Sequence, residues 1–252
     1  MACVEVDGLV CLLESQVRIS NVETETRVLL FGENDGSFAV AAAARHPTWR
    51  MLATELCHTK APEQLLSDGH QWLTGIDALK MPPDVEEEAR NADILIFNFP
   101  FVAQSPRQTV ELIKGFLKLV YHLCKQGAKI ILGLATQCKG TDTVAHQYKP
   151  YSAESVVADA LRGHARRDGK FVHLACDEVD HTYYTKYPGY SHGTTHGHAK
   201  PGIWHFNNQT AYIFHVQVSN DRESKQRSLT RSLKVLADSC PDRVQERMRM
   251  QC

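Results

Sequence analysis

Short runs of β-branched and apolar residues alternate with longer stretches of helical periodicity from Arg27 onward. This alternation is typical of a mostly parallel sheet, because each crossover between parallel strands needs a connection long enough for a helix. We therefore predict an α/β fold, a twisted sheet with helices on both faces. The predicted strands are 27–31, 49–55, 94–99, 129–134, 170–175 and 211–218, and the predicted helices are 37–45, 62–73, 84–91, 105–125, 153–167 and 223–237.

Composition and charge restrict the class of protein. The 252 residues are 43% hydrophobic, which is enough for a core, and 28 Lys and Arg against 29 Asp and Glu give a net charge of −1. Binding to nucleic acid would therefore need a local basic patch. No apolar run approaches the roughly 20 residues that cross a bilayer, and the acidic start does not look like a signal peptide. We expect an intracellular protein with reduced cysteines, no membrane association and an oligomeric state that the sequence does not define.

We expect three segments along the chain. Residues 1–26 precede the first strand and form an N-terminal extension, 27–220 form the α/β domain, and 221–252 form a basic C-terminal helix and tail. The excess of Lys and Arg in the last segment could follow phosphates, although we favour a solvated helix face as its explanation.

The first strand ends in a glycine-containing turn that leads into a helix of small residues. Gly32 lies at the carboxyl end of the strand, where a residue without a Cβ lets a ligand approach the backbone. Asn34 accepts a positive φ better than most residues, and Ser37 can cap the helix that follows. This turn is compatible with a nucleotide site and with an ordinary βα connection.

Two acids follow the next strands. Glu55 ends the second predicted strand, where a carboxylate can accept hydrogen bonds from ribose hydroxyls, and Asp77 lies where an acid can contact an adenine amino group. Three such positions in register favour a nucleoside site. The chain has no G-x-x-x-x-G-K-[ST] loop for a triphosphate.

The most specific signal is Phe97-Asn98-Phe99-Pro100-Phe101 at the end of the predicted strand 94–99. Proline ends the strand and turns Asn98 outward, with an amide that can bind a planar polar group. The segment resembles the N-P-P-[YF] turn of methyltransferases that act on planar nitrogen. Taken with 28–39, 75–78, 150–151 and 187–192, in this order, the chain resembles the 25S ribosomal RNA uridine-N3 methyltransferase-like family over about residues 27 to 218.

The resemblance implies a Rossmann-like fold, S-adenosylmethionine as cofactor and methyl transfer to N3 of a uridine in ribosomal RNA. It also implies RNA as partner, with ribosome-assembly proteins, and a nucleolar or cytoplasmic location. Residues expected to bind the cofactor are Gly32, Glu33, Ser37, Glu55, Asp77 and Asn98; those expected to bind substrate are Phe99, Phe101, Tyr187, Tyr190 and His192; those expected to be catalytic are Asn98, Pro100 and Asp35.

The expected chemistry requires a proton acceptor, because N3 of uridine is protonated at neutral pH. Asn98 can orient the imide but cannot act as a base, whereas Asp35, or a histidine such as His192, could. An aromatic side chain could stack on the flipped base.

Four positions depart from the family pattern. Asn34 replaces a glycine, Gly36 a phenylalanine and Phe101 a histidine, and Cys57 occupies the place of an acid that Glu55 could replace. These departures motivate a rival hypothesis, a non-catalytic member that binds a nucleoside or serves as a scaffold. A third hypothesis, a metal-dependent hydrolase, comes from His192, His196 and His198, which could ligate zinc; we expect no metal site there.

Overall fold

The structure is a computed structural model, and it describes residues 24–100, 102, 106–135, 153–180, 186–190, 209–220 and 222–239. It contains a sheet of eight strands with six helices among the described residues. The strands are β1 (Thr26–Phe31), β2 (Trp49–Glu55), β3 (Gln71–Thr74), β4 (Ile94–Asn98), β5 (Lys129–Ala135), β6 (His164–Arg167), β7 (Lys170–Asp180) and β8 (Gln209–Ser219). The helices are α1 (Ser37–Arg45), α2 (Glu63–Ser67), α3 (Pro83–Asn91), α4 (Pro106–Leu123), α5 (Ala153–Arg162) and α6 (Arg222–Ser239).

The strand order is β3-β2-β1-β4-β5-β8-β7-β6. Strands β1 to β5 are parallel, β8 is antiparallel to β5, and β7 is antiparallel to β8 and to β6. The order reverses between β1 and β4, which are neighbours in the sheet although two strands separate them in sequence. At such a reversal the connections leave in opposite directions and open a crevice at the carboxyl ends of the strands.

Alternate residues of the central strands pack into two separate hydrophobic cores. Leu29 of β1 and Leu95 of β4 belong to a cluster that includes residues of α3, α4 and α5. Leu30 and Ile96, one position later in each strand, belong to a cluster with α1. Both faces of the sheet are therefore covered, as the unbroken apolar runs of these strands require.

Most predicted elements are confirmed with shifts of one or two residues at their ends, except that the strand predicted over 170–175 extends to Asp180, and the α/β class is confirmed. Two predicted helices are wrong in their second half. The helix predicted over 62–73 ends at Ser67, because Gly69 adopts a left-handed φ of 78° and the chain then enters β3. The helix predicted over 153–167 ends at Arg162, and 164–167 form β6, which turns into β7 through Asp168 and Gly169 at φ 50° and 78°.

The two ends of the chain are described only in part. Most of the predicted N-terminal extension, residues 1–23, and the end of the predicted C-terminal tail, residues 240–252, lie outside the described residues. The described helices include none that is both long and apolar enough to cross a membrane.

Candidate active site

The carboxyl ends of β1, β2 and β4 bring three predicted site residues together. Phe31 at the end of β1 pairs with Thr54 on one side and Phe97 on the other. The next residue of each strand is therefore Gly32, Glu55 and Asn98, which lie side by side at one edge of the sheet. This edge, with the turn 32–36, is called the strand-end site below.

The turn 32–36 depends on left-handed backbone at three positions. Gly32, Asn34 and Gly36 have φ values of 68°, 50° and 73°. A Cβ on Gly36 would lie 2.4 Å from Cγ of Pro62, and a Cβ on Gly32 would lie 3.1 Å from the ring of Phe97. The unusual residues of this turn thus have a structural reason: Gly36 has no room for a side chain, and asparagine tolerates the left-handed region at position 34.

Glu55 connects the turn to the loop after β2. It is 8% exposed, and its carboxylate accepts hydrogen bonds from the backbone N–H of Asn34 at 2.6 Å and of Cys57 at 3.1 Å. Each carboxylate oxygen has a second lone pair and can accept a further donor such as a hydroxyl. Glu55 therefore fixes the backbone around the site and keeps acceptor capacity.

Glu33 lies under the first turn of α1. It is 5% exposed, and its Oε2 accepts a hydrogen bond from the backbone N–H of Ala39 at 3.0 Å. Burial raises the pKa of Glu33 from 4.5 to about 8; the Ala39 hydrogen bond opposes this rise, and the nearby carboxylates of Asp35 and Glu55 add to it. The side chain thus caps the helix and is held mainly as the neutral acid at pH 7.

The other two predicted acids lie in exposed or half-buried turns. Oδ1 of Asp35 accepts the backbone N–H of Ser37 at 3.0 Å, and Oδ1 of Asp77 accepts that of Leu79 at 2.9 Å. Asp77 lies close to Glu55, because the N–H of Ile76 donates to the Glu55 carbonyl at 3.0 Å. Both carboxylates keep one oxygen that these backbone bonds do not use.

Asn98 is a buried polar side chain at this edge to which the described part of the chain offers no hydrogen bond. It is 7% exposed, and neither Oδ1 nor Nδ2 has a hydrogen-bond partner among the described residues. The positions on either side of it are glycines: Gly32 follows the end of β1, and Gly133 of β5 pairs with Asn98. A buried amide without partners is costly, so the donor and acceptor of Asn98 are available to a ligand.

The residues after Asn98 are held in a strained turn. Phe99 has a φ of 50°, which is unusual for a residue with a side chain, and its N–H donates to the carbonyl of Gly133 at 3.0 Å. Pro100 is buried. Sequence reasoning did not single out Gly133, although a glycine inside the apolar strand 129–134 is a signal of close approach.

Tyr187 and Tyr190 pack on α1, far from them in sequence. Their rings lie 4.8 and 5.4 Å from the ring of Phe38, and the hydroxyl of Tyr187 lies 3.3 Å from Nε2 of His46. Burial raises the pKa of Tyr190, and the carboxylates of Glu33 and Asp35 raise it further. Tyr190 thus lies near the strand-end site, and the buried Tyr187 anchors the segment 186–190 to α1.

Some predicted site residues lie outside the described part of the chain. These are Phe101 and the histidines His192, His196 and His198. Within the described ranges, no group of three or more His, Cys, Asp or Glu side chains could hold a metal ion.

Comparison with solved structures finds proteins of low sequence identity, among them methyltransferases. The 16S rRNA (adenine(1408)-N(1))-methyltransferase from Catenulisporales acidiphilia is 14% identical, with a TM-score of 0.42 over 88% of this chain and 97% of that one. TrmN from Thermus thermophilus is 16% identical, with a TM-score of 0.43 over 81% of this chain and 48% of that one. The N-methyltransferase NodS from Bradyrhizobium japonicum is 11% identical, with a TM-score of 0.43 over 77% and 87%.

No curated protein matches the chain. A family model does match it: BMT5-like, described as rRNA (uridine-N3-)-methyltransferase BTM5-like, covers residues 29–194, which is more than half of the chain. The chain therefore belongs to the BMT5-like rRNA (uridine-N3-)-methyltransferase family.

Proposed function

We propose that the strand-end site is the active site of an S-adenosylmethionine-dependent methyltransferase that modifies N3 of a uridine in ribosomal RNA. Because the chain belongs to this family, its activity is methyl transfer to RNA, and the methyl donor that this activity implies is S-adenosylmethionine. The observation that carries the assignment of the site is Asn98, a buried amide whose donor and acceptor have no partner among the described residues.

The residues of the strand-end site fit the donor. Gly32 leaves the strand end open, Glu55 has acceptor capacity for ribose hydroxyls, and Asp77 lies beside Glu55 with an unused oxygen for an adenine amino group. We propose these three as cofactor-binding residues, with Glu33 and Ser37 shaping the turn. When bound, S-adenosylmethionine supplies an electrophilic methyl group on a positively charged sulfur.

We propose that Asn98 binds the imide of the target base. Its Nδ2 can donate to a carbonyl next to N3, where negative charge collects as N3 loses its proton. Its position between Gly32 and Gly133 leaves no neighbouring strand side chain to compete for the base. We propose that Pro100, two residues after the end of β4, helps to hold the turn that follows Asn98.

We propose Asp35 as the proton acceptor for N3, because it is exposed beside the turn and one carboxylate oxygen is unused by Ser37. Phe99 and Tyr190 are the aromatic side chains at this edge that could stack on the flipped base, and Tyr187 holds Tyr190's segment in place. Ribosome-assembly partners and a nucleolar or cytoplasmic location belong to the same proposal.

The test is methyl transfer from tritiated S-adenosylmethionine to deproteinised ribosomal RNA, followed by mass spectrometry of the nucleosides. The wild type should produce 3-methyluridine. Asn98→Ala should lower the rate by about 10²- to 10³-fold, the usual cost of removing one donor that stabilises developing negative charge. Asn91→Ala, a matched change at the carboxyl end of α3, should retain wild-type activity.

Three outcomes would contradict the proposal in different ways. Cofactor binding without any transfer by the wild type would support the non-catalytic rival. Label in another nucleoside would refute the uridine assignment. Full activity of Asn98→Ala would move the reacting base away from the strand-end site.

A further inference from the structure

A groove bordered by basic side chains lies on the flank of the sheet, away from the strand ends. A cavity of about 410 Å³ separates α4 from the end of α5 and the start of β6. Leu117 and Tyr121 of α4 are among its lining residues and are buried in the core. The Tyr121 hydroxyl donates to the carbonyl of Ala160 at 3.0 Å, which fixes α4 and α5 relative to each other. The groove therefore lies between elements that are hydrogen-bonded to each other.

One rim of this groove is a row of basic side chains on α4. Lys114, Lys118 and His122 recur every four residues, so they lie on one side of the helix at intervals of about 6 Å. All three are exposed. Lys114 contacts Asp159 of α5 at 3.5 Å, whereas no carboxylate among the described residues pairs with Lys118 or His122.

Further cations lie around the end of α5 and the hairpin. Arg162 shares Asp159 with Lys114, at 3.5 Å, and Asp159 is the acid that lines the groove among its described residues. Arg167 donates to the backbone carbonyls of His122 and Cys124, at 2.9 and 3.1 Å. These acceptors carry no net charge, and no carboxylate of the described ranges forms an ion pair with Arg167.

The strand-end site has the opposite charge. The carboxylates of Asp35, Glu55 and Asp77 all lie there, and carboxylates repel phosphates at short range. With a net charge of −1, the whole chain supplies no attractive field either. An RNA substrate therefore needs a separate place to bind, and the groove between α4, α5 and β6 offers one.

We propose that this groove binds the phosphate backbone of RNA and holds the substrate while a base reaches the strand-end site. The proposal rests on the proposed function. Lysine and arginine side chains bind phosphates without reading sequence, so the groove would contribute affinity rather than choice of nucleotide.

The test measures binding of a fluorescein-labelled RNA of mixed sequence, single-stranded and as a duplex, by anisotropy at several salt concentrations. Lys118→Glu should weaken binding on the order of tenfold and reduce the slope of log Kd against log salt by about one. Lys60→Glu, the same charge change at an exposed lysine beside α2, should leave RNA affinity near the wild-type value. Thermal unfolding of both variants verifies that each is folded.

Equal RNA binding by the wild type and Lys118→Glu would overturn the proposal. A second outcome would also overturn it: Lys118→Glu weakens binding of poly-glutamate but leaves binding of RNA unchanged. The partner of the groove would then be an acidic protein segment. Failure of the proposed function would give a different result. The wild type would then bind RNA through Lys118 and transfer no methyl group to it.

Discussion

Replacing Glu33 with glutamine should change how the free energy of unfolding depends on pH. The carboxyl group is 5% exposed, accepts the Ala39 N–H, and has no cation paired with it among the described residues. Glutamine has nearly the same shape and keeps an oxygen for the Ala39 N–H, but it carries no titrating proton. The substitution therefore isolates the proton from the packing.

The magnitude follows from the pKa of the buried acid. Burial raises the pKa of Glu33 from 4.5 to about 8. The hydrogen bond from Ala39 opposes this rise, and the carboxylates of Asp35 and Glu55 add to it. The folded state thus binds the proton more tightly than the unfolded state, so this stabilisation is complete below pH 4.5 and is lost as the pH rises through 8. One pKa unit corresponds to about 1.4 kcal/mol. The free energy of unfolding of the wild type should therefore fall by about 3 kcal/mol by pH 7 and by about 5 kcal/mol by pH 9, relative to its value below pH 4.5.

Urea unfolding followed by circular dichroism at pH 5, 7 and 9 measures the effect. The advantage of Glu33→Gln over the wild type should grow by several kcal/mol across this range. Glu87→Gln, on the exposed surface of α3, should follow the wild-type curve at each pH. A constant difference between Glu33→Gln and the wild type would refute the reasoning, because Glu33 would then have the same pKa in both states.

Two further substitutions test the packing around the site by thermal unfolding. Gly36→Ala should destabilise by more than about 2 kcal/mol, since a left-handed φ costs about 1 kcal/mol and its Cβ would also collide with Pro62. Gly127 has a φ of 81°, and an added Cβ there would have nothing within 4 Å, so Gly127→Ala should lose only the roughly 1 kcal/mol that the left-handed backbone costs. Equal destabilisation by the two substitutions would show that the contact of the Cβ with Pro62 is not costly. Tyr187→Phe should cost about 1 kcal/mol through the lost contact with His46, and an unchanged midpoint would show that this contact does not stabilise the fold.

The sequence predicted the elements whose signals are local. Strand 49–55 and helix 37–45 have the predicted bounds, because an apolar run and a stretch of small residues each specify one structure. The prediction of a single helix over 62–73 was wrong, because apolar residues on both sides of Gly69 continued the pattern through a helix end. The Asp168-Gly169 turn was a local hairpin signal that the periodicity of 153–167 obscured.

The candidate site was predictable in part for the same reason. Gly32, Glu55 and Asn98 could each be placed at a strand end, and the strand order then brought them together. Their surroundings depend on contacts between distant segments. Tyr190 lies near Glu33 because its segment, about 150 residues later in the sequence, packs on Phe38. The glycine beside Asn98 is Gly133, which belongs to β5.

The two proposed sites divide recognition by charge. A cationic methyl donor is favoured at an edge that carries three carboxylates, while the polyanionic RNA is favoured at the groove of Lys118 on the flank. One surface could not serve both ligands well, because cations that attract phosphate would repel the sulfonium group. With the phosphates held on the flank, the uncharged base is the part of the RNA that enters the acidic edge without an electrostatic penalty. Asn98 suits such a base, because its amide is neutral and offers both a donor and an acceptor.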